Sequence, residues 1–265
     1  MNLRIVFTSD WHLSCDPRQS PTMERLVESV RQINPNFIVG GGDFIRDGGT
    51  DPQEVSRLQW QEVASWQEQL GLIAPLYALL GNHDFQFDIS LGNRLIHALH
   101  ELRIEKGFYK KEVGSWTFIF LNSTCLTTHS YRASLDQKQQ EFLQTAINEA
   151  KGPVGVFSHI PILSAAVFHD GELNKGDHWQ VPGKWMHLDS LQIHQILANS
   201  KKVRFACAGH LHLFERVMYD GLQYITAGAL SGNWWEGSYR GTPPGFVELV
   251  LSAEDLLNVH YHSLL

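Results

Sequence analysis

Apolar residues in the first third of the chain follow two alternating rhythms. Leu3-Arg4-Ile5-Val6-Phe7-Thr8 is a short apolar run that predicts a strand. Met23, Leu26, Val27, Val30 and Ile33 then recur every three or four positions, the spacing of one helix face. Phe37-Ile38-Val39 predicts a second strand. A polar amphipathic helix is expected over 52–70, with Pro52 in its first turn, where a missing N–H costs nothing. Leu76-Tyr77-Ala78-Leu79-Leu80 predicts a third strand that runs into Gly81. Strands alternating with helices imply a largely parallel sheet with helices on its faces.

Beyond residue 107 the rhythm shifts toward period two. Segments 108–113 and 116–121 flank Gly114-Ser115, a plausible hairpin turn. Ser134 and Gln137 have capping-box spacing and open a predicted helix through Ala150. Val154-Gly155-Val156-Phe157 reads as a buried strand, and 214–219, 222–227, 246–251 and 256–261 make the end strand-rich, with Asp220-Gly221 as a turn. Two packed sheets flanked by helices account for this order, an α/β fold in a single domain over 1–265. The irregular stretch 164–187, with His169, Asp170, Lys175, His178, Trp179, Trp185 and His187, is too long for a bare connection and is expected to cap a site. The glycine-rich stretch 228–245 carries Trp234-Trp235, expected to anchor that loop rather than to stack on substrate.

Composition narrows the function classes. A 265-residue chain with 43% hydrophobic and 18% charged residues packs a core rather than staying disordered. Its formal charge of −7 argues against broad nucleic-acid binding, which requires a field that attracts phosphates. Cys15, Cys125 and Cys207 are too few and too scattered for a disulfide framework, and Cys207 lies in a run that predicts a buried thiol. No apolar run approaches the ~18 residues of a membrane span, and the first strand starts too early to leave room for a signal. The expectation is a soluble cytoplasmic protein with no membrane insertion.

Polar clusters follow the apolar runs: Asp10-Trp11-His12, Gly42-Asp43, Gly81-Asn82-His83-Asp84, Ser158-His159 and Gly209-His210-Leu211-His212. At the ends of parallel strands, all of these segments can meet at one sheet edge. Carboxylates, an amide oxygen and imidazoles are the donors that Mn, Fe or Zn accept. Asp10 with His12, and His210 with His212, are expected to point the same way along extended backbone. In the tetrapeptide 81–84, glycine permits a tight turn, Asn82 offers a neutral oxygen, and His83 with Asp84 reads as a proton donor oriented by a carboxylate. Asp10-Trp11-His12 alone is weak and Asp43 and His159 mean little separately, whereas the tetrapeptide 81–84 and the pair His210 and His212 are stronger; the joint order carries the signal. Gly40-Gly41-Gly42 ends in Asp43 rather than opening a helix with a lysine, so no P-loop is present.

The order D-x-H, GD, GNHD, a strand-end histidine and GHLH resembles that of the calcineurin-like metallophosphoesterases, cyclic-nucleotide phosphodiesterase-like members among them, over residues 5–212. The resemblance implies a four-layer αββα sandwich and two divalent or trivalent metal ions (Mn, Fe or Zn). Asp10, His12 and His212 would hold one ion, Asn82, His159 and His210 the other, and Asp43 would bridge both. His83 would stand beside them as a catalytic group with Asp84 as its partner, next to a hydroxide bridging the ions and attacking phosphorus in line. Trp11 and Ser158 depart from the commonest residues at their positions without removing a ligand. The implied substrate is a small phosphoester, with nucleotide-type phosphodiesters ahead of phosphomonoesters. A monoester dianion benefits from an arginine or lysine clamp, and the motifs contain none, although Arg46, Arg132, Lys175, Lys184 and Arg240 lie on segments that can reach the site. A nuclease would want a basic groove. A non-catalytic metal-binding scaffold could afford to lose ligands, and here every position is filled.

Overall fold

The computed structural model describes residues 2–169 and 176–265. In chain order come β1 (Leu3–Thr8), α1 (Ser20–Ile33), β2 (Phe37–Gly40), α2 (Gln53–Gly71), β3 (Leu76–Ala78) and α3 (Leu91–Glu101). Then follow β4 (Tyr109–Val113), β5 (Trp116–Leu121), the small pair β6 (Thr124–Leu126) and β7 (Tyr131–Ala133), α4 (Gln137–Glu149), β8 (Val154–Ser158), α5 (Ser190–Asn199) and β9 (Val203–Ala208). The remaining strands are β10 (Phe214–Tyr219), β11 (Leu222–Ala227), β12 (Gly245–Leu251) and β13 (Leu256–Ser263).

Two large mixed sheets result, one ordered β13-β12-β1-β2-β3 and the other β10-β11-β9-β8-β5-β4. β1, β2 and β3 run parallel, as do β5, β8, β9 and β11, while β12, β13, β4 and β10 join antiparallel. Period-two alternation sorts the side chains into layers. Ile5, Phe7, Phe37 and Val39 face Phe118, Phe120, Phe157 and Phe205 in a core between the sheets. Val6 and Ile38 point the other way and pack with Met23, Leu26, Val30, Trp60 and Val63 of α1 and α2. On the outer face of the second sheet, Ile119, Val154 and Val156 meet Leu143 and Ile147 of α4 and Ile193 and Leu197 of α5. The four-layer αββα expectation therefore holds. All the apolar positions named for α1 are buried.

Several local expectations change. α2 begins at Gln53, with Pro52 in extended backbone at its N-cap rather than inside the first turn. The cap of α4 is Asp136, whose carboxylate accepts from the Gln139 N–H at 2.9 Å, so the Ser134/Gln137 box does not form. α3 escapes sequence reading because its pattern is inverted. Leu91, Leu95 and Ile96 are exposed, while Arg94 is buried and donates to the carbonyls of Phe87, Ile89, Thr127 and Thr128. No helix among the described residues is long and apolar enough to cross a membrane.

Phe157 sits in the middle of the inter-sheet core, stacked on Phe7 at 5.7 Å and on Phe120 at 5.3 Å, with no exposure. Phe157→Ala is expected to lower the unfolding free energy by about 3–5 kcal/mol, the cost of a large buried cavity. Urea unfolding of both proteins checks this, and a loss below about 1 kcal/mol would show that the layers collapse around the gap.

Candidate metal centre

The parallel strands deliver all the clusters to one rim. Asp10 and His12 follow β1, Asp43 follows β2, the 81–84 turn follows β3, His159 follows β8, and His210 and His212 follow β9. The backbone there differs from the extended form expected. Asp10, His12, Asp43, His210 and His212 all have left-handed φ, between 46° and 72°. This region is uncommon for residues with a Cβ, and such conformations persist only where the surroundings enforce them. At Asp10, His12 and Asp43 the β1–β2 ladder enforces them. The Asp10 N–H donates to Gly42 O and the His12 N–H to Asp43 O, each at 3.0 Å, and pairing resumes beyond the site at Leu13 and Ile45. Both strands thus bulge together around the cluster. Gly81 packs so tightly that any Cβ would overlap the Asp43 carboxylate.

The donor atoms fall into overlapping groups. His12 Nε2 lies 3.2 Å from His212 Nε2, and these two atoms lie 3.9 Å and 3.5 Å from Asp10 Oδ1. His159 Nε2 lies 3.2 Å from both Asn82 Oδ1 and Asp43 Oδ2, and His210 completes that group within 4.8 Å. Asp43 Oδ2 is also 3.8 Å from His12 Nε2, so Asp43 stands between the two groups. The far ring nitrogens are held by backbone carbonyls: His159 Nδ1 by Gly41 O at 2.9 Å and His212 Nδ1 by Gly232 O at 2.7 Å, with His12 Nδ1 3.4 Å from Arg46 O. A carbonyl on Nδ1 fixes the proton there and leaves Nε2 with a lone pair aimed inward. Two such lone pairs 3.2 Å apart in a buried site repel unless a cation lies between them. Ligands about 2.0–2.1 Å from one ion are themselves about 3 Å apart, so the spacing suits a metal.

Electrostatics agree. Burial first, and then His83, pushes the His12 imidazole down to about 3, and burial with His159 does the same to His210, keeping both neutral as ligands must be. Burial pushes the Asp10 carboxyl up, but His212 outweighs it and leaves the group at about 2. Burial would neutralise His159, yet the Asp43 charge against it raises it to about 9.

His83 and Asp84 separate. The expected pairing does not form, because the Asp84 carboxylate accepts from the backbone N–H groups of Asp43, Phe44 and Gly81 at 2.8–3.0 Å. The partner of His83 is instead Asp47, whose Oδ1 is 3.4 Å from His83 Nδ1, a residue the motif reading did not single out. His83 Nε2 faces Asp43 Oδ2 at 4.0 Å. Burial opposes the charged form of His83, but Asp43 and Asp47 together raise it to about 9. Burial, with Asp43 nearby, pushes Asp84 up to about 7 despite its N–H donors.

A hollow of about 240 Å³ opens over the cluster, walled by Tyr131, Trp185, Trp234 and Tyr239. A second, of about 220 Å³, shares Asn82, His83 and Tyr131 with it and is otherwise lined by Asp47, Thr50 and Phe87 among others. From the 164–187 stretch, Trp185 reaches the site, whereas Trp179 is exposed against Phe168. Asp170 and Lys175 lie outside the described residues. His187 is buried against Asp189 and His178 pairs with Asp177, both away from the cluster. Trp235 anchors its loop through Nε1 to His12 O at 3.0 Å, as expected; Trp234 instead forms a wall, its ring 4.0 Å from that of His12.

The profile of the calcineurin-like phosphoesterase family matches residues 3–214. Purple acid phosphatase 4 from Arabidopsis thaliana is 21% identical over 281 aligned positions, covering 98% of this chain and 80% of that protein. Among solved structures, a dimetal phosphatase from Danio rerio superposes with a TM-score of 0.70 at 13% identity, covering 98% of this chain and 99% of the other. GAP50, described as the anchor in the inner membrane complex of Plasmodium, superposes with a TM-score of 0.65 at 17% identity, over 99% and 85% of the two chains.

Asp84→Ala would leave three buried N–H groups without an acceptor, at about 1–3 kcal/mol each. The variant should melt earlier and also lose metal, because Asp43 moves with its backbone. Asp47→Ala should retain its metal. Melting curves with elemental analysis check both, and equal metal loss in the two variants would refute the separation of roles.

Proposed function

The chain belongs to the calcineurin-like phosphoesterase family, and from that premise we propose that it hydrolyses small phosphodiesters at the cluster on the strand rim. One observation carries the diester reading: two hollows meet at Asn82, His83 and Tyr131, and no lysine or arginine lines either of them among the described residues. Two rooms on either side of His83 suit a phosphorus atom bearing two ester arms. Walls without lysine or arginine among the described residues suit a monoanion better than a dianion. Arg46 is paired with Asp51, Lys184 lies over the Tyr131 ring, and Arg240 is hydrogen-bonded to the His169 carbonyl.

In this reading Asp10, His12 and His212 would hold one ion and Asn82, His159 and His210 the other, with Asp43 serving both. The nitrogen and oxygen donor set is compatible with Mn, Fe or Zn. Bound ions supply Lewis acidity toward the phosphoryl oxygens and lower the proton affinity of water. The chain's own residues do the rest. Nδ1 contacts to backbone carbonyls orient the imidazoles, Trp234 and Trp185 exclude bulk water, and His83, charged and steered by Asp47, holds a proton at Nε2 for the leaving oxygen.

A phosphomonoesterase is the second reading, favoured by the similarity to a purple acid phosphatase. GAP50 is described as an anchor, but the full complement of donors in this chain favours a catalyst over a scaffold. The formal charge of −7 and hollow walls without lysine or arginine among the described residues oppose a nuclease.

Hydrolysis of bis-p-nitrophenyl phosphate and p-nitrophenyl phosphate in Mn²⁺, followed by a cyclic nucleotide and its monophosphate, tests the substrate class. The diester should have the higher kcat/KM in each pair, and monoester preference in both would transfer the protein to the second reading. His83→Ala should lower turnover by about 10²–10⁴ with metal content intact, whereas Asp43→Ala should empty both sites and His12→Ala mainly one. The pH dependence has a definite sign. In the chain without bound ions, burial lowers His83 but Asp43 and Asp47 raise it to about 9, so the stability of its pairing is full below about 6.5 and lost as pH rises through about 9. Asp47→Asn removes one of the two anions, so the alkaline limb of kcat should move to lower pH; an unmoved limb would assign that limb to another group.

A further inference from the structure

β3 and β4 are the terminal strands of the two large sheets, and a cleft of about 420 Å³ lies along them, sharing no lining residue with the hollows over the metal cluster. The chain is acidic overall, with a formal charge of −7, yet this cleft gathers Arg103, Lys106, Lys110 and Lys111 against a single carboxylate, Glu105. The Tyr109 hydroxyl donates to Ala78 O at 2.8 Å, which fixes the gap between the strands, so the cleft is built in advance. Lys110 is tied to Glu149 at 2.7 Å, and Lys111 Nζ lies 5.4 Å from the centre of the Tyr77 ring. Arg103 and Lys106 are exposed and have no ion-pair partner among the described residues.

Lysines on terminal strands often serve only to prevent edge-to-edge pairing. That accounts for Lys110 and Lys111, which belong to β4. It does not account for Arg103 and Lys106, which lie on the connection between α3 and β4 and converge on the same space. We infer that this cleft binds a small anion carrying two or more phosphoryl groups. The Arg103 fork can take two oxygens of one group, the lysines add point charges, and the volume matches a small-molecule site.

Metal-loaded protein is titrated with methylenediphosphonate, with Mn²⁺ in excess so that the probe strips no ion. Hydrogen exchange is followed in peptides covering 76–80 and 103–113. Exchange there should slow, and half-saturation should weaken about tenfold or more in the R103E/K106E double variant, as expected for lost charge-assisted phosphate contacts. Lys111→Met keeps an aliphatic stem over Tyr77 and should weaken binding without lowering the melting temperature. Adenosine 5′-(α,β-methylene)diphosphate separates the sources: tighter binding than the bare probe assigns a nucleoside-bearing ligand, and equal binding an inorganic one. Peptides covering 81–84 and 209–212 report the metal site separately, so failure of the phosphodiesterase reading leaves this test intact. Unchanged half-saturation in the double variant, or slowed exchange confined to the metal-site peptides, would overturn the inference. So would protection of the cleft by poly-glutamate where the phosphonate gives none, which would point to a protein partner.

Discussion

The site depends on one buried carboxylate that touches no reactant. Asp84 accepts from the N–H groups of Asp43 and Phe44 after β2 and of Gly81 after β3, locking together the two turns that carry Asp43 and Asn82. In return, Asp43 Oδ1 accepts from the His83 N–H at 2.8 Å. These interlocked bonds set the height of Asp43 between the two donor groups. Burying a second carboxylate near Asp43 carries an electrostatic penalty, visible in the raised proton affinity of Asp84, and the three N–H donors offset it.

From this knot the geometry spreads outward. Parallel strands in two facing sheets bring imidazoles from the second sheet against carboxylates from the first, and the phenylalanine-rich core between the sheets fixes their separation. Backbone carbonyls then choose the tautomers. Gly41 O selects that of His159 and Gly232 O that of His212, so residues without side-chain chemistry decide which nitrogen faces the cluster. The aromatic walls come from separate segments, Tyr131 from β7, Trp185 from the stretch before α5, and Trp234 and Tyr239 from the stretch between β11 and β12.

Much of this was legible in the chain because strand periodicity and strand-end chemistry are local signals. The runs at 3–8, 37–39 and 154–157 lie in strands, and each donor that follows them reaches the rim. What stayed hidden depends on three-dimensional neighbours. Sequence adjacency pairs His83 with Asp84, but the turn points those side chains apart and brings in Asp47 from the preceding loop. Extended geometry was expected at Asp10 and His12, yet the ladder with β2 imposes left-handed backbone, which no residue pattern announces in amino acids other than glycine. α3 was invisible because Arg94, satisfied by four carbonyls, shares its buried side with Ala98 while three larger apolar residues stay exposed, a pattern that can be recognised only once those carbonyls are placed.

The left-handed residues have a thermodynamic consequence for the folded chain. Asp10, His12, Asp43, His210 and His212 each hold a conformation that glycine would adopt at less cost, so the cluster concentrates backbone strain. A ligand that binds the native arrangement and ignores the unfolded chain raises stability by mass action, in proportion to the logarithm of its free concentration above its dissociation constant. A cation held by this cluster would therefore raise the melting temperature with the logarithm of its free concentration.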